Sequence, residues 1–170
     1  MPTKKTSSKA SKKTSSKKTA RKTDPKPVKL ERNLHIYLKQ VPDKYRGVFC
    51  TKDIRKGEEI ERTPALVLNA RETNLLQKTI LRDYVFGLGA ISKKLRQRVG
   101  IDKLDDASCL IMGVTTYCNH DDKPNAEIVW EEHEGTLYHT LCATRAIPKN
   151  TEICTSYGKG WFDDRNHMSN

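Results

Sequence analysis

Apolar residues in this chain come in short alternating bursts, so the pattern predicts many short strands, irregular connections and little helix. Residues 34–41, Leu-His-Ile-Tyr-Leu-Lys-Gln-Val, mix aliphatic, β-branched and aromatic side chains and read as a first strand. A second is expected over Gly47–Thr51, a turn at Lys56-Gly57, and a third strand over Ile60–Asn69, bent or edge-placed by Pro64. Residues 70–78 read as a helical turn, and Thr79–Phe86 as a strand with Tyr84 and Phe86 on one face. Ile91, Leu95 and Val99 recur every four positions ahead of Gly100. That spacing predicts a short amphipathic helix whose other face carries Lys93, Lys94, Arg96 and Arg98. After the apolar run Cys109–Gly113, the segments Ala126–Glu131 and Thr136–Thr144 flank His133-Glu134-Gly135 as a hairpin, and Glu152–Ser156 forms a last strand. No βαβ unit is visible, which disfavours a Rossmann-type domain.

Composition divides the chain in two. Residues 1–29 hold ten lysines, Arg21 and a single acid, Asp24, and so carry +10 of the formal net charge of +11. Apart from Met1, residues 1–27 have no aromatic and no aliphatic side chain larger than alanine. Such a segment buries too little surface to offset its ordering entropy and is expected to be disordered, with Pro25 and Pro27 at its end. The repeated Ser-Lys-Lys-Thr at 11–14 and 16–19 is low complexity and not a structural repeat. Residues 30–170 are nearly neutral and form the expected single domain. The tail has three readings: a polycation that binds nucleic acid without sequence preference, a nuclear-localisation signal, or a substrate-like segment.

No apolar stretch approaches the roughly 20 residues that span a bilayer, and the basic N-terminus has no apolar core behind it, so neither a membrane segment nor a secretory signal is expected. Five cysteines, Cys50, Cys109, Cys118, Cys142 and Cys154, are odd in number, widely spaced and without a Cys-x-x-Cys. They read as free thiols of a reducing, intracellular compartment; no metal site is expected, and His133 and His139 read as surface or sheet histidines.

Three segments carry candidate chemistry, and their order matters more than any one alone. They are Tyr45-Arg46-Gly47-Val48-Phe49, Asn119-His120-Asp121-Asp122-Lys123-Pro124-Asn125, and Glu152-Ile153-Cys154-Thr155-Ser156-Tyr157-Gly158 followed by Trp161-Phe162. With these segments the chain resembles the SET-domain family, and in layout its minimal single-domain viral and bacterial members. The resemblance implies a mainly β fold, the β-clip of short curved sheets with a small helical insert. Its C-terminal segment is threaded beneath a loop as a pseudoknot that brings Asn119 and His120 beside Tyr157. It also implies an S-adenosylmethionine-dependent protein-lysine N-methyltransferase acting on a histone or another basic chromatin protein.

On the same resemblance Tyr157 is the catalytic residue and Tyr84 lines the substrate-lysine channel. Arg46, Gly47, Val48, Asn119 and His120 hold the cofactor, and Trp161 or Phe162 stacks on its adenine. Methyl transfer from a sulfonium to an amine is an in-line displacement, so the amine must be neutral and the reacting atoms aligned. Thr19-Ala20-Arg21-Lys22-Thr23 resembles a histone-tail target sequence, which makes Lys22 a candidate for self-methylation.

The chain departs from the family pattern in three places. Tyr45 replaces the first glycine of Gly-x-Gly, a costly choice if that position takes a positive φ. Cys118 replaces the aromatic before Asn-His, and Thr155, small for its place, leaves room for higher methylation states. The rival function is an inactive SET-fold protein bound to chromatin or DNA. Nuclear or chromatin localisation is expected in a eukaryotic cell or host, and cytoplasm or nucleoid otherwise. Oligomeric state stays open, a dimer included.

Overall fold

The computed structural model describes residues 35–163 apart from 43, 102, 104–106 and 160. The basic tail, Lys22 with it, lies outside the described residues. Among the described residues nine strands form two sheets: β1 Ile36–Val41, β2 Tyr45–Cys50, β3 Glu59–Leu68, β4 Val85–Gly87, β5 Ser108–Ile111, β6 Asn119–His120, β7 Ala126–His133, β8 Thr136–Ala143 and β9 Glu152–Thr155. The four-stranded sheet has the order β1-β2-β9-β6 and the five-stranded sheet β4-β5-β3-β8-β7. Of these pairings only β6 with β9 is parallel: Asn119 lies opposite Cys154, and His120 opposite Thr155.

Local chemistry explains most of the boundaries. β7 and β8 turn at Glu134 (φ 51°) and Gly135 (φ 80°), the two positive-φ positions of a tight hairpin turn. Residues 70–78 contain more than a turn. The helix α1, Ala70–Leu76, starts at Asn69, whose side chain accepts from the Glu72 N–H while Glu72 reaches back to the Asn69 N–H. The helix α2, Lys93–Arg98, has Ser92 as its N-cap, and Gly100 follows at φ 72°. As the fourfold spacing predicts, buried Ile91 and the half-buried Leu95 and Val99 all belong to one apolar cluster.

Two expectations need correction. Thr79–Phe86 is not a continuous strand: Ile80–Tyr84 is a 3₁₀ helix capped by the Thr79 hydroxyl, and only Val85–Gly87 pairs, with β5. A hydroxyl that caps the first free N–H favours the turn locally over an extended run. Of the two readings of β3, bent or edge-placed at Pro64, the edge is excluded. The strand pairs with β8 over Glu59–Pro64 and with β5 over Ala65–Leu68. Pro64, which has no N–H to give, sits where the strand changes neighbours.

Between the sheets lies a core of Val48, Cys50, Ile54, Ile60, Cys118, Leu141, Ile147, Ile153 and small residues. A second cluster, Leu88, Ile91, Ile101, Cys109, Ile111 and Leu137, lies under α2. Of the two hairpin histidines His133 is exposed, whereas His139 is fully buried. The His139 ring packs edge-on to Phe86 and Trp130, with centroids 5.3 and 5.2 Å away. Phe86 is in β4 and Trp130 in β7, the two outer strands of the five-stranded sheet, so this sheet curls until its edges meet.

Neither ring nitrogen of His139 has a partner in another described residue. Burial pushes its pKa down to about 4, against a smaller upward pull from its own backbone. A histidine whose folded pKa lies below its unfolded value of about 6.5 adds stability above pH 6.5, and that stability is lost as the pH falls towards 4. The loss is about 3 kcal/mol in all. His139→Leu should therefore flatten the acid limb of a urea-midpoint-against-pH curve between pH 6.5 and 4. An unchanged limb would assign it to other groups.

Candidate active site

Within the four-stranded sheet β9 runs between β2 and β6, and the site is built on that strand. Asn125 holds it in place. Its Nδ2 donates to the Glu152 carbonyl at 2.7 Å, and its Oδ1 accepts from the Cys154 N–H at 2.9 Å. A buried asparagine thus satisfies the backbone of β9 from the loop that overlies it, which is the threaded arrangement implied by the family resemblance.

Directly after β9 the chain turns up beside β6. The Tyr157 N–H donates to His120 Nδ1 at 3.1 Å, and the Tyr157 hydroxyl donates to the Cys118 carbonyl at 2.8 Å. Burial, with smaller contributions from Cys118, Cys154, Tyr84 and Glu152, raises the Tyr157 pKa to about 12. At physiological pH it is therefore a neutral phenol, able to orient a bound amine by hydrogen bonding and unsuited to act as a phenolate base. His120 Nε2 lies 3.2 Å from Asp122 Oδ1.

The Asn119 side chain joins all three segments. Its Nδ2 donates to the Arg46 carbonyl and to Glu152 Oε1, each at 2.7 Å. Gly47 opposite leaves room for this arrangement: a Cβ there would displace the Glu152 carboxylate and lie 3.1 Å from Asn119 Nδ2. Val48 is fully buried, in register with Ile153, so its side chain belongs to the core and only its backbone is near the site.

Two clefts meet here. The larger, about 490 Å³, runs between Val85–Gly87 and Ala126–Ile128 to Cys118, Thr155, Tyr157 and Trp161. The smaller, about 160 Å³, is walled by Tyr45, Arg46, Tyr84, Tyr117, Tyr157 and Trp161, among others. Trp161 lines both, its ring centroid 4.6 Å from that of Tyr157, while Phe162 lines neither and packs on His120 at 5.1 Å. Of the two aromatic candidates, Trp161 is the one that faces the clefts.

Tyr45, in place of a glycine, does take a left-handed backbone, φ 64°, and the residue is 77% exposed. For a tyrosine that conformation costs about 1–2 kcal/mol, a strain kept at the mouth of the smaller cleft. Tyr84 ends the 3₁₀ helix, and its hydroxyl accepts from the Arg46 guanidinium, which also lies over the Tyr117 ring at 4.4 Å.

Sequence reasoning gave Tyr117 and Glu61 no role and took Glu152 only as the start of its motif. Glu61 is fully buried, and its carboxylate accepts from the N–H groups of Val114 at 3.1 Å and Thr115 at 2.9 Å. It sets the 3₁₀ turn Val114–Tyr117 that leads into Cys118 and Asn119. Gly113 precedes that turn, and a Cβ there would run into the same carboxylate. A glutamate on a central strand is the one signal that could have pointed to it, since an inward-facing acid needs partners.

A search of curated proteins finds no match. Among solved structures the fold is similar to a Plasmodium falciparum protein described as a candidate histone methyltransferase. The two share 25% identity with a TM-score of 0.55, over 78% of this chain and 98% of that one. It is also similar to the Neurospora SET-domain protein DIM-5, a histone lysine methyltransferase, at 21% identity and a TM-score of 0.59, over 75% of this chain and 54% of the longer one. A third similar chain, from a study of product specificity in histone lysine methyltransferases, has 22% identity and a TM-score of 0.57, over 74% of this chain and 51% of its own. This chain thus spans about half the length of the latter two, and at 21–22% identity that likeness is one of fold. The SET-domain family model matches residues 45–158, from the strained tyrosine to the glycine after Tyr157. With that match over most of its length and the three motifs joined through the Asn119 side chain, the chain belongs to the SET-domain family.

Proposed function

We propose that the protein is an S-adenosylmethionine-dependent protein-lysine N-methyltransferase acting on histones or other basic chromatin proteins. The observation that carries the reading is the Tyr157 hydroxyl, a neutral phenol held on the Cys118 carbonyl beside His120, at the meeting of two clefts. The residues fit the cofactor. Gly47 brings backbone and Glu152 within reach of one another, Asn119 and Arg46 lie next to them, and Trp161 offers an aromatic face for an adenine. When bound, the cofactor supplies the methyl group on a sulfonium. The protein's part is to present a lysine as the free amine, with Tyr157 and Tyr84 orienting its lone pair and the aromatic walls excluding water.

Incubation with radiolabelled S-adenosylmethionine and core histones tests the proposal. Label on a histone band is expected. No label on any histone, together with no thermal shift at saturating cofactor, would instead favour the rival reading, a SET fold that binds chromatin without catalysis. The strained Tyr45 is the specific observation on the rival's side.

The basic segment 1–29 serves in this reading to raise the local concentration on DNA or chromatin, by salt-dependent attraction to phosphate. It would also direct the protein to the nucleus of a eukaryotic cell or host. Lys22 is proposed as a self-methylation site; tryptic mass spectrometry that finds it unmodified in active enzyme would remove that role.

A further inference from the structure

The smaller cleft already contains a cation of the chain's own. The Arg46 guanidinium donates to the Tyr84 hydroxyl and lies 4.4 Å from the Tyr117 ring centroid, 5.5 Å from that of Tyr84 and 5.2 Å from that of Tyr45. Tyr84 and Tyr117 meet edge to face at 5.9 Å, so the cation is held on two rings that brace each other, with the third at the mouth. The position is set from the backbone as well, because the Arg46 carbonyl accepts from Asn119. Tyr157 and Trp161 line the same cleft. A positive charge is thus fixed one hydroxyl away from the groups that would receive the substrate amine.

The other ionisable groups around this cleft are Lys44, Asp83 and the phenols of Tyr45, Tyr84, Tyr117 and Tyr157. Lys44 and Asp83 carry opposite charges, and the Glu152 carboxylate, outside this lining, accepts from Asn119, so the guanidinium is the charged group that donates to the Tyr84 hydroxyl. Arginine keeps that charge at any working pH.

We propose that Arg46 is an electrostatic positioning residue: its guanidinium, fixed on Tyr84 and Tyr117 in the channel wall, admits the substrate lysine as the neutral amine and disfavours the ammonium. This rests on the methyl transfer proposed above. A like charge at about 4–6 Å disfavours a second cation by roughly one to two pH units, about a ten- to hundredfold gain in the reactive amine near neutral pH. The walls also act on the product. Each methylammonium that forms meets the same repulsion and must lose a proton before a further round.

The experiment is the pH dependence of kcat at saturating core histones, which reads ionisations in the bound complex, for the wild type, Arg46→Met and Arg46→Lys, with cofactor binding followed separately by thermal shift. Expected is an acid limb displaced about one unit to higher pH in Arg46→Met and restored in Arg46→Lys, the other cation. A role limited to packing or to holding the cofactor changes the height of the profile or the cofactor shift and leaves the limb in place; that result overturns the proposal, as does Arg46→Lys behaving like Arg46→Met. Should Arg46→Met fail to fold, Arg46→Gln, which can still donate to Tyr84, gives the same reading. A wild type that transfers no methyl group overturns the enzymatic function and this inference together. A wild type that transfers with an unmoved mutant limb overturns this inference alone.

Discussion

Tyr157→Phe should lower methyl transfer on the order of a hundredfold or more while the domain stays folded. The substitution removes one oxygen and keeps the ring, whose centroid is 4.6 Å from that of Trp161 and 5.5 Å from that of His120. The lost hydrogen bond to the Cys118 carbonyl costs about 1 kcal/mol, a small part of the stability of a domain this size. The effect on rate is larger because that hydroxyl holds two things at once. It donates to a fixed carbonyl, so its lone pairs have one orientation, and it lies where the two clefts join. An amine hydrogen-bonded to those lone pairs has its own lone pair directed along one line. With phenylalanine the amine can still enter but no longer faces one way, so the loss should fall on kcat more than on KM. Single-turnover transfer onto core histones, with urea unfolding of both proteins, checks it. Label that survives at the wild-type rate would take Tyr157 out of the chemistry.

Glu61→Ala should have the largest effect on stability, about 3–5 kcal/mol in urea unfolding. The carboxylate is fully buried and accepts two backbone N–H groups, Val114 and Thr115, that nothing replaces when it is cut back to a methyl. Two buried donors are stranded and a cavity opens between β3 and the 113–117 turn. Glu61→Gln keeps one carbonyl acceptor and should lose only about 1–2 kcal/mol. The site should suffer along with the fold, because the turn carries Tyr117, which packs on Arg46, and leads into Cys118, which receives the Tyr157 hydroxyl. A Glu61→Ala protein as stable as the wild type would mean that the turn is set by its own sequence.

The positions of β1, β2, β3 and β9, the hairpin turn at Glu134-Gly135 and the amphipathic α2 were legible from alternation, fourfold spacing and turn chemistry, because each depends on residues within a few positions of one another. The order of the three motifs was legible too, and through it the family. The 3₁₀ helix at Ile80–Tyr84 was not, since its residues suit a strand and a single threonine hydroxyl tips the balance. Nor was the central place of β3, because Pro64 reads as an edge signal until both neighbours are known.

At the site the division is sharper. The family resemblance, carried by the order of the motifs, pointed to Tyr157, Tyr84, Asn119, His120 and the Arg46-Gly47 backbone. Only the tertiary structure decided that Trp161 rather than Phe162 faces the clefts, that Glu61 sets the turn before the site, and that the Arg46 side chain lies on Tyr84 and Tyr117. The reason is geometric. Arg46 and Tyr117 come together because β9 pairs with β2 on one side and β6 on the other, and the contact between them depends on every bend along the way. Alternation records which face a residue takes; it carries no record of how far that face has turned when it meets another.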